Sequence, residues 1–185
     1  LSSKAIETSK QAKLPKSFWA WDEILEANQN GYWPYTPSTN LLYGLNEALD
    51  MLLDEGIDHV LARHQRWAAG VRAAVEAWGL EIQCLDPSVY SPVLTGVVMP
   101  EGIDADDVRK IIYERFDLSL GTGLGKAKGK MFRIGHLGDC NDLTLIATLG
   151  GCEAGMKLAG VNLKGSGVIA AMDYFATNPL DAGKR

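Results

Sequence analysis

The segment LSLGTGLGKAKGKMFRIGHL, residues 118–137, decides the fold of this chain. A short apolar run enters a glycine-rich loop, and a second apolar run, KMFRIGHL, leaves it at residues 130–137. Two strand-like runs joined by a loop that contains glycine are typical of a β-hairpin. The second run carries a permanent positive charge, Arg133, at its centre, although charged side chains are rarely buried without a partner.

The alternation of side chains along a strand predicts where Arg133 points. Phe132 and Ile134 are expected to face packed helices. Met131, Arg133 and Gly135 then lie on the opposite face, where Gly135 leaves space beside the guanidinium. A planar set of donors facing open space suits bidentate binding of a carboxylate. The local pattern leaves a second interpretation equally open, a structural ion pair with one of the 23 acidic residues.

The glycine-rich loop does not match a nucleotide-binding motif. The spacing from Gly121 to Gly125 and Lys126 is one residue too short for a P-loop, and Ala127 replaces the hydroxyl residue that would hold magnesium. The loop also leads into a strand, whereas a dinucleotide fingerprint leads into a helix. We therefore interpret it as a hairpin connection.

The first half of the chain predicts helices. Two short helices are expected before residue 31, and two long amphipathic helices end at Gly56 and Gly79. In the second long helix, Arg63, Arg66 and Arg72 lie off the apolar stripe. We expect the apolar stripe of the first long helix to belong to the core; its members are Leu41, Leu45, Ala48, Leu49 and Leu52.

The second half alternates between strand and helix patterns. Strands are predicted at 80–85, 91–100 and in the two runs of the hairpin; helices are predicted at 104–116, at 142–160 and from residue 168. This alternation predicts an α/β fold, with a small mixed sheet and packed helices.

Composition excludes several classes of protein. The net charge of -5 provides no basic surface for nucleic acid, and no apolar stretch reaches the roughly 18 residues that a membrane span needs. Cys84, Cys140 and Cys152 are an odd number without a C-x-x-C spacing, which indicates buried or idle thiols in a reducing compartment, and we expect a cytoplasmic protein. His136 lies near Cys140, but no second pair completes a metal site, so we predict none.

The histidines have two interpretations. His59 and His64 lie in the second long helix, where a solvated or hydrogen-bonded ring is expected. His136 follows the arginine strand and is a candidate for lining the same pocket, although a nearby backbone partner is the favoured explanation. No G-x-S-x-G nucleophile motif is present in the sequence.

Three stretches together resemble the C-terminal half of the class V aminotransferases. Within that family, the nearest members are the serine–glyoxylate enzymes of the alanine–glyoxylate aminotransferase group. The stretches are YWPYTPSTNLLYGLNEALDMLLDEG at 32–56, RHQRWAAGVRAAVEAWGL at 63–80 and SLGTGLGKAKGKMFRIGHLGDCNDLTLIATLGG at 119–151. The resemblance covers nearly all of the chain, and the third stretch is the most specific.

The resemblance implies a homodimeric enzyme of fold type I that uses pyridoxal 5'-phosphate. Residues 1–55 would be a segment of the large domain with the connecting helix, and 56–185 the small C-terminal α/β domain. Arg133 matches the arginine that binds the carboxylate of the amino-acid or 2-oxo-acid substrate. Thr36 matches a threonine that reaches the cofactor phosphate of the neighbouring subunit. Trp33 replaces an aromatic hydroxyl that shares this role, and Tyr35 is its possible substitute.

The lysine that binds the cofactor covalently in this family has no match in the chain. Its motif resembles SQKG and falls shortly before the segment that matches LSSKAIE, so we expect the chain to begin just after its own catalytic lysine. The parent enzyme would transfer an amino group from serine (or alanine) to glyoxylate, and the 185 residues alone would be inactive.

Two alternatives remain at this stage. The first is a non-catalytic α/β domain that binds a small carboxylate through Arg133. The second is a lyase or sulfur-transferring enzyme of the same cofactor family, which would use a nucleophilic cysteine near the arginine. Cys140 has the corresponding place in the sequence, and we expect it to be structural.

Overall fold

A computed structural model describes residues 1–180 of the chain, which divide into two compact units. The first unit is Leu1–Met51 and the second begins at Leu52. The helices are α1 (Ser3–Lys10), α2 (Trp21–Gln29), α3 (Thr39–Glu55), α4 (Ile57–Trp78), α5 (Ala105–Phe116), α6 (Asp142–Leu158) and α7 (Gly167–Thr177). The strands are β1 (Glu81–Ile82), β2 (Leu94–Val98), β3 (Gly121–Thr122) and β4 (Met131–Gly135).

The predicted helices form close to their expected limits, because the sequence supplies their caps. Asp104 caps α5 by accepting from the backbone N–H of Asp106, and Asn141 caps α6 by accepting from that of Thr144. Helix α4 ends at Gly79, whose φ of 74° is the left-handed conformation that glycine adopts without strain.

The apolar stripe of α3 differs from the prediction, because no residue of this helix is buried. Leu45 is 54% exposed and Leu49 is 47% exposed, and Leu41 is more exposed still. The expectation that this stripe belongs to the core of the chain is wrong. The periodicity shows only that a helix has an apolar face; whether something covers that face depends on neighbouring structure.

The sheet of the second unit is antiparallel throughout and has the strand order β1-β2-β4-β3. The prediction of a small sheet with packed helices is confirmed, but the expectation of a mixed sheet is wrong. Strands β2 and β3 are joined through α5, as in a parallel crossover, and β4 lies between them. The β3–β4 hairpin thus places an antiparallel neighbour on each side of β4.

The core of the second unit lies between the sheet and its helices. Phe132 and Ile134 are fully buried there, as the strand alternation predicts, and they join Trp67, Trp78 and Leu149 in one hydrophobic cluster. None of the helices in the described part of the chain combines the length and hydropathy that a bilayer span requires.

Two of the arginines that lie off the apolar stripe of α4 form ion pairs, Arg63 as a buried residue and Arg66 as a half-buried one. Arg63 binds the carboxylate of Glu55 and donates from Nη1 to the carbonyl of Gly138 at 2.7 Å. Arg66 binds the carboxylate of Asp142, with an Nη1–Oδ1 distance of 2.6 Å. Amphipathic periodicity places these arginines on the polar side of the helix, but their acidic partners come from other parts of the sequence.

Candidate functional site

Arg133 lies at the centre of β4 between two glycines of neighbouring strands. Gly96 of β2 is directly opposite on one side, and Gly121 of β3 is directly opposite on the other. Opposite residues of an antiparallel pair point to the same face of the sheet. The arginine therefore projects from the face away from the core, with no side chain beside it on either adjacent strand.

The guanidinium of Arg133 is held by a backbone acceptor and not by a carboxylate. Its Nε donates to the carbonyl oxygen of Thr122 at 2.9 Å, and the side chain is half-buried. It forms no ion pair within residues 1–180. The structural ion pair that the sequence left open is therefore not observed in the described chain.

A network from α5 fixes the short strand that holds Arg133. Thr122 donates from Oγ1 to the carboxylate of Asp106 at 2.8 Å, and Arg109 donates to the carbonyl of Leu120 from Nε and Nη2 at 2.9 and 2.7 Å. The hydrogen bond from Thr122 is the main reason that the pKa of Asp106 is lowered. The carbonyl of Thr122 is thus a fixed anchor for the guanidinium.

The open face of the sheet forms a cleft of about 280 Å³ beside Arg133. Its wall includes Gly96, Met131 and a second arginine, Arg72. The guanidinium of Arg72 stacks over the ring of Tyr90, with 5.0 Å between Cζ and the ring centroid. Two half-buried cations give this cleft a positive character that suits a small anion.

His136 lies in the core and not in the cleft. Its side chain is fully buried, with Nδ1 3.1 Å from the carbonyl oxygen of Pro92 and Nε2 2.9 Å from Oγ1 of Thr95. Because a carbonyl only accepts, Nδ1 carries the proton and Nε2 accepts from the hydroxyl. The structure thus favours the backbone-partner interpretation. His64 is similar: its ring contacts the carbonyl of Val60 and accepts from the backbone N–H of Gly138.

We predict that protonation of His136 destabilises the fold at mildly acidic pH. Burial is the main cause that lowers its pKa from 6.5 to about 4. The folded state keeps the ring neutral while the unfolded state binds a proton below pH 6.5, so stability falls as the pH drops from 6.5 towards 4. The loss reaches about 3 kcal/mol. Urea unfolding at a series of pH values measures this loss.

The variant His136→Asn serves as the control for that pH series. It lacks the titrating ring, so the slope of stability between pH 6.5 and 4 should largely disappear. NMR titration of the ring protons is an independent measurement. A pKa near 6.5 for His136 in the folded protein would contradict the prediction.

The cysteines have no common location. Cys152 is fully buried in α6, and burial raises the pKa of its thiol to about 12. Cys140 is half-buried against the hydrophobic core, and its Sγ lies 3.7 Å from the carbonyl oxygen of Leu137. Cys84 lines the cleft, with its Sγ 3.5 Å from the carbonyl oxygen of Asp86.

The two predicted cofactor-binding residues lie in the first unit, whereas Arg133 lies in the second. Thr36 is exposed just before α3, and its hydroxyl forms no hydrogen bond to any residue of the described chain. The hydroxyl of Tyr35 donates to the carboxylate of Glu23 at 3.2 Å, and its ring packs on Phe18 with centroids 5.0 Å apart. Thr36 therefore has a free donor, whereas the donor of Tyr35 is already used.

Sequence reasoning missed the glycines on either side of Arg133. It identified Gly135, two residues along the same strand, which indeed has nothing within 4 Å of the place of a Cβ. The glycines that lie opposite the arginine on β2 and β3 are set by strand register, which local sequence does not reveal. The sequence signal that could have found them is that each glycine lies within a strand-like run, Gly96 in LTGVV and Gly121 in SLGTG.

Curated relatives match nearly all of the chain. It is 44% identical over 181 residues to a serine–glyoxylate aminotransferase of Hyphomicrobium methylovorum, a match that covers 96% of this chain and 45% of the relative. It is 45% identical over 175 residues to a serine–glyoxylate aminotransferase of Arabidopsis thaliana, covering 94% of this chain and 44% of the relative. The chain thus spans about half the length of these relatives. No family model matches it.

Solved structures agree with this likeness. A pyridoxamine–pyruvate aminotransferase from Mesorhizobium loti is 33% identical, with a TM-score of 0.86 over 96% of this chain and 46% of that one. A ureidoglycine–glyoxylate aminotransferase from Bacillus subtilis is 25% identical, with a TM-score of 0.80 over 94% of this chain and 45% of that one. Sequence and fold agree, and the chain belongs to the class V aminotransferases of fold type I, corresponding to their C-terminal portion.

Proposed function

We propose that this chain is part of an aminotransferase that transfers the amino group of serine (or alanine) to glyoxylate, yielding glycine. The relatives named serine–glyoxylate aminotransferase support this substrate pair. An L-aspartate–glyoxylate aminotransferase of Paracoccus denitrificans, 38% identical over the whole chain, shares glyoxylate and differs in the amino donor. The assignment of the acceptor therefore has broader support than that of the donor.

The role of Arg133 carries the proposal. Arg133 lines the cleft, its Nε is held by Thr122, and no carboxylate of the described chain neutralises it. Serine, alanine and glyoxylate have a carboxylate in common, so one arginine can bind donor and acceptor in turn. Binding of this carboxylate orients the reacting carbon of the substrate. The residue acts by position and charge and transfers no proton.

The implied cofactor is pyridoxal 5'-phosphate, which supplies the electron sink for transfer of the amino group. Within this chain, the hydroxyl of Thr36 fits a phosphate oxygen, because it is exposed and has no partner in the described residues. Tyr35 fits less well, since its hydroxyl would first have to leave Glu23. We therefore propose Thr36 as the phosphate-binding residue of the pair, acting on the cofactor of a neighbouring subunit.

A homodimer is the assembly that we propose. The apolar face of α3 supports an assembly that buries it, because a helix with this pattern is normally covered. Sedimentation of the full-length protein tests this proposal, and a monomer at working concentrations would contradict it.

Assay of the full-length protein tests the reaction itself. Serine and glyoxylate should give glycine and hydroxypyruvate in equal amounts, and alanine and glyoxylate should give glycine and pyruvate. If neither donor is consumed when glyoxylate and the cofactor are present, the proposed substrates are wrong. The sulfur-transfer alternative through Cys140 is not favoured, because Cys140 packs against the core.

We predict that the 185 residues alone form no covalent complex with pyridoxal phosphate. Lys4, Lys10 and Lys13 are exposed, as are the other lysines of residues 1–180, and Lys10 pairs with Glu7. These amines lack the burial that activates a Schiff-base lysine. Borohydride treatment of the mixture, followed by peptide mass spectrometry, should find no single modified lysine. One stoichiometric adduct at a defined position would overturn the prediction.

A further inference from the structure

The place of Gly121 opposite Arg133 has consequences for substrate binding. A Cβ added to Gly121 would lie 3.0 Å from Nε of Arg133, 3.1 Å from its Cβ and 3.4 Å from its Cζ. These distances are tighter than ordinary van der Waals contact, so the arm of the arginine would have to shift by a few tenths of an ångström to admit a side chain at position 121. No other glycine of the described chain has Arg133 among the nearest neighbours of its missing Cβ.

Gly96, on the other side of Arg133, has a different role. A Cβ there would meet Cε of Met131 at 2.5 Å and Cβ of Gln83 at 3.0 Å, and not the arginine. The two glycines are symmetric in strand register but not in their contacts. The guanidinium therefore leans over β3, towards the carbonyl of Thr122 that accepts from its Nε.

The hydrogen bond to Thr122 also decides which edge of the guanidinium remains available. An arginine binds a carboxylate in bidentate fashion either through Nε and one Nη or through both Nη atoms. Nε is already used at 2.9 Å, whereas neither Nη has a partner among residues 1–180. Only the edge formed by the two Nη atoms can therefore bind both oxygens of a carboxylate.

We propose that Gly121 is a positioning residue for the substrate carboxylate. Without a side chain it lets Arg133 lie over β3, bind Thr122 through Nε and present both Nη atoms to the ligand. This inference rests on the proposed role of Arg133. Gly121 has no positive φ, so alanine is tolerated by the backbone, and the effect of a substitution comes from contact with the arginine.

Kinetics of the full-length enzyme with Gly121→Ala test the proposal. KM for both serine and glyoxylate should rise about tenfold while kcat changes less than threefold, because the displaced guanidinium weakens carboxylate binding in the ground state and transition state alike. Calorimetric titration with glycolate, an unreactive carboxylate of similar size, should show a matching loss of affinity. Gly150→Ala in α6, where nothing lies within 4 Å of the place of a Cβ, is the matched control and should change neither quantity.

A double-mutant cycle separates positioning from a general effect on the fold. If Gly121 acts only through Arg133, adding Gly121→Ala to Arg133→Ala should change KM no further. A second, additive rise in KM would overturn the positioning role. So would an unchanged KM and glycolate affinity in Gly121→Ala alone when Arg133→Ala raises KM. An unchanged KM in Arg133→Ala would instead show that the proposed function of the arginine itself is wrong.

Discussion

Replacing Arg133 with alanine in the full-length enzyme should raise KM for serine and for glyoxylate by about 10- to 100-fold. Hydrogen bonds to a charged group contribute about 1.5–3 kcal/mol, and a bidentate pair lies in the upper part of that range. Steady-state kinetics with each substrate varied in turn measure the change. Both values should move together, because the arginine binds the one group that donor and acceptor share.

Two further variants sharpen this test. Arg133→Lys keeps the charge but lacks the planar set of donors, so it should restore only a small part of the lost affinity. Arg115→Ala removes an exposed arginine from the last turn of α5 and should leave both KM values unchanged. If the KM values of Arg133→Ala were unchanged, the carboxylate-binding role of Arg133 would be wrong. The family membership of the chain would still hold.

Replacing Glu153 with alanine should lower the free energy of unfolding by about 3–5 kcal/mol. This buried carboxylate accepts from Trp78 Nε1 at 3.0 Å, from Lys157 Nζ at 2.7 Å and from Ser166 Oγ at 3.1 Å. It also accepts from the backbone N–H of Val168 at 3.3 Å, in the first turn of α7. Its removal leaves the indole N–H buried without an acceptor and releases the start of α7.

The pKa of Glu153 gives the same interaction a pH signature. Burial alone would raise this pKa, but hydrogen bonds led by the one from Lys157 outweigh it and lower the pKa to about 2. The stabilisation is therefore complete above pH 4.5 and is lost as the pH falls from 4.5 to 2. This window overlaps that of His136 only between pH 4 and 4.5, so urea unfolding across the acid range should show two successive losses.

Controls for Glu153 keep the test informative even if the alanine variant fails to fold. Glu153→Gln retains the shape and should cost about 1–2 kcal/mol through the lost charge. Glu114→Ala removes an exposed carboxylate that lies 4.0 Å from Lys110 and should change stability by less than about 0.5 kcal/mol. If all three variants had the same free energy of unfolding as the unsubstituted protein, Glu153 would have no structural role.

The elements of the fold were largely readable from local sequence, and their arrangement was not. Helices α4 to α7 and strand β4 follow from apolar period, capping residues and glycine stops, which act within a few residues. The insertion of β4 between β2 and β3 depends on pairing between distant segments. The sequence therefore predicted strands correctly but a mixed sheet wrongly, since alternation of strand and helix does not specify which strands are neighbours.

The candidate site, too, could be predicted from the sequence only in part. Strand alternation alone placed Arg133 on the other face of the strand from Phe132 and Ile134. The resemblance to the family then assigned it the binding of the substrate carboxylate. Whether the arginine had an acidic partner was undetermined, because any of 23 carboxylates could have met it. The same limit applies to Glu153, whose partners include a residue 75 positions earlier in the chain.

The sequence by itself determined that Arg133 lies on the outer face of a strand and that α3 has an apolar side. Local periodicity fixes direction, because a side chain's face follows from the geometry of its own backbone. Only the tertiary structure decided that two glycines flank the arginine, that Thr122 holds its Nε and that no residue of α3 is buried in the part of the chain that the structure describes. These facts are contacts between residues far apart in sequence, and a contact exists only once the chain has folded.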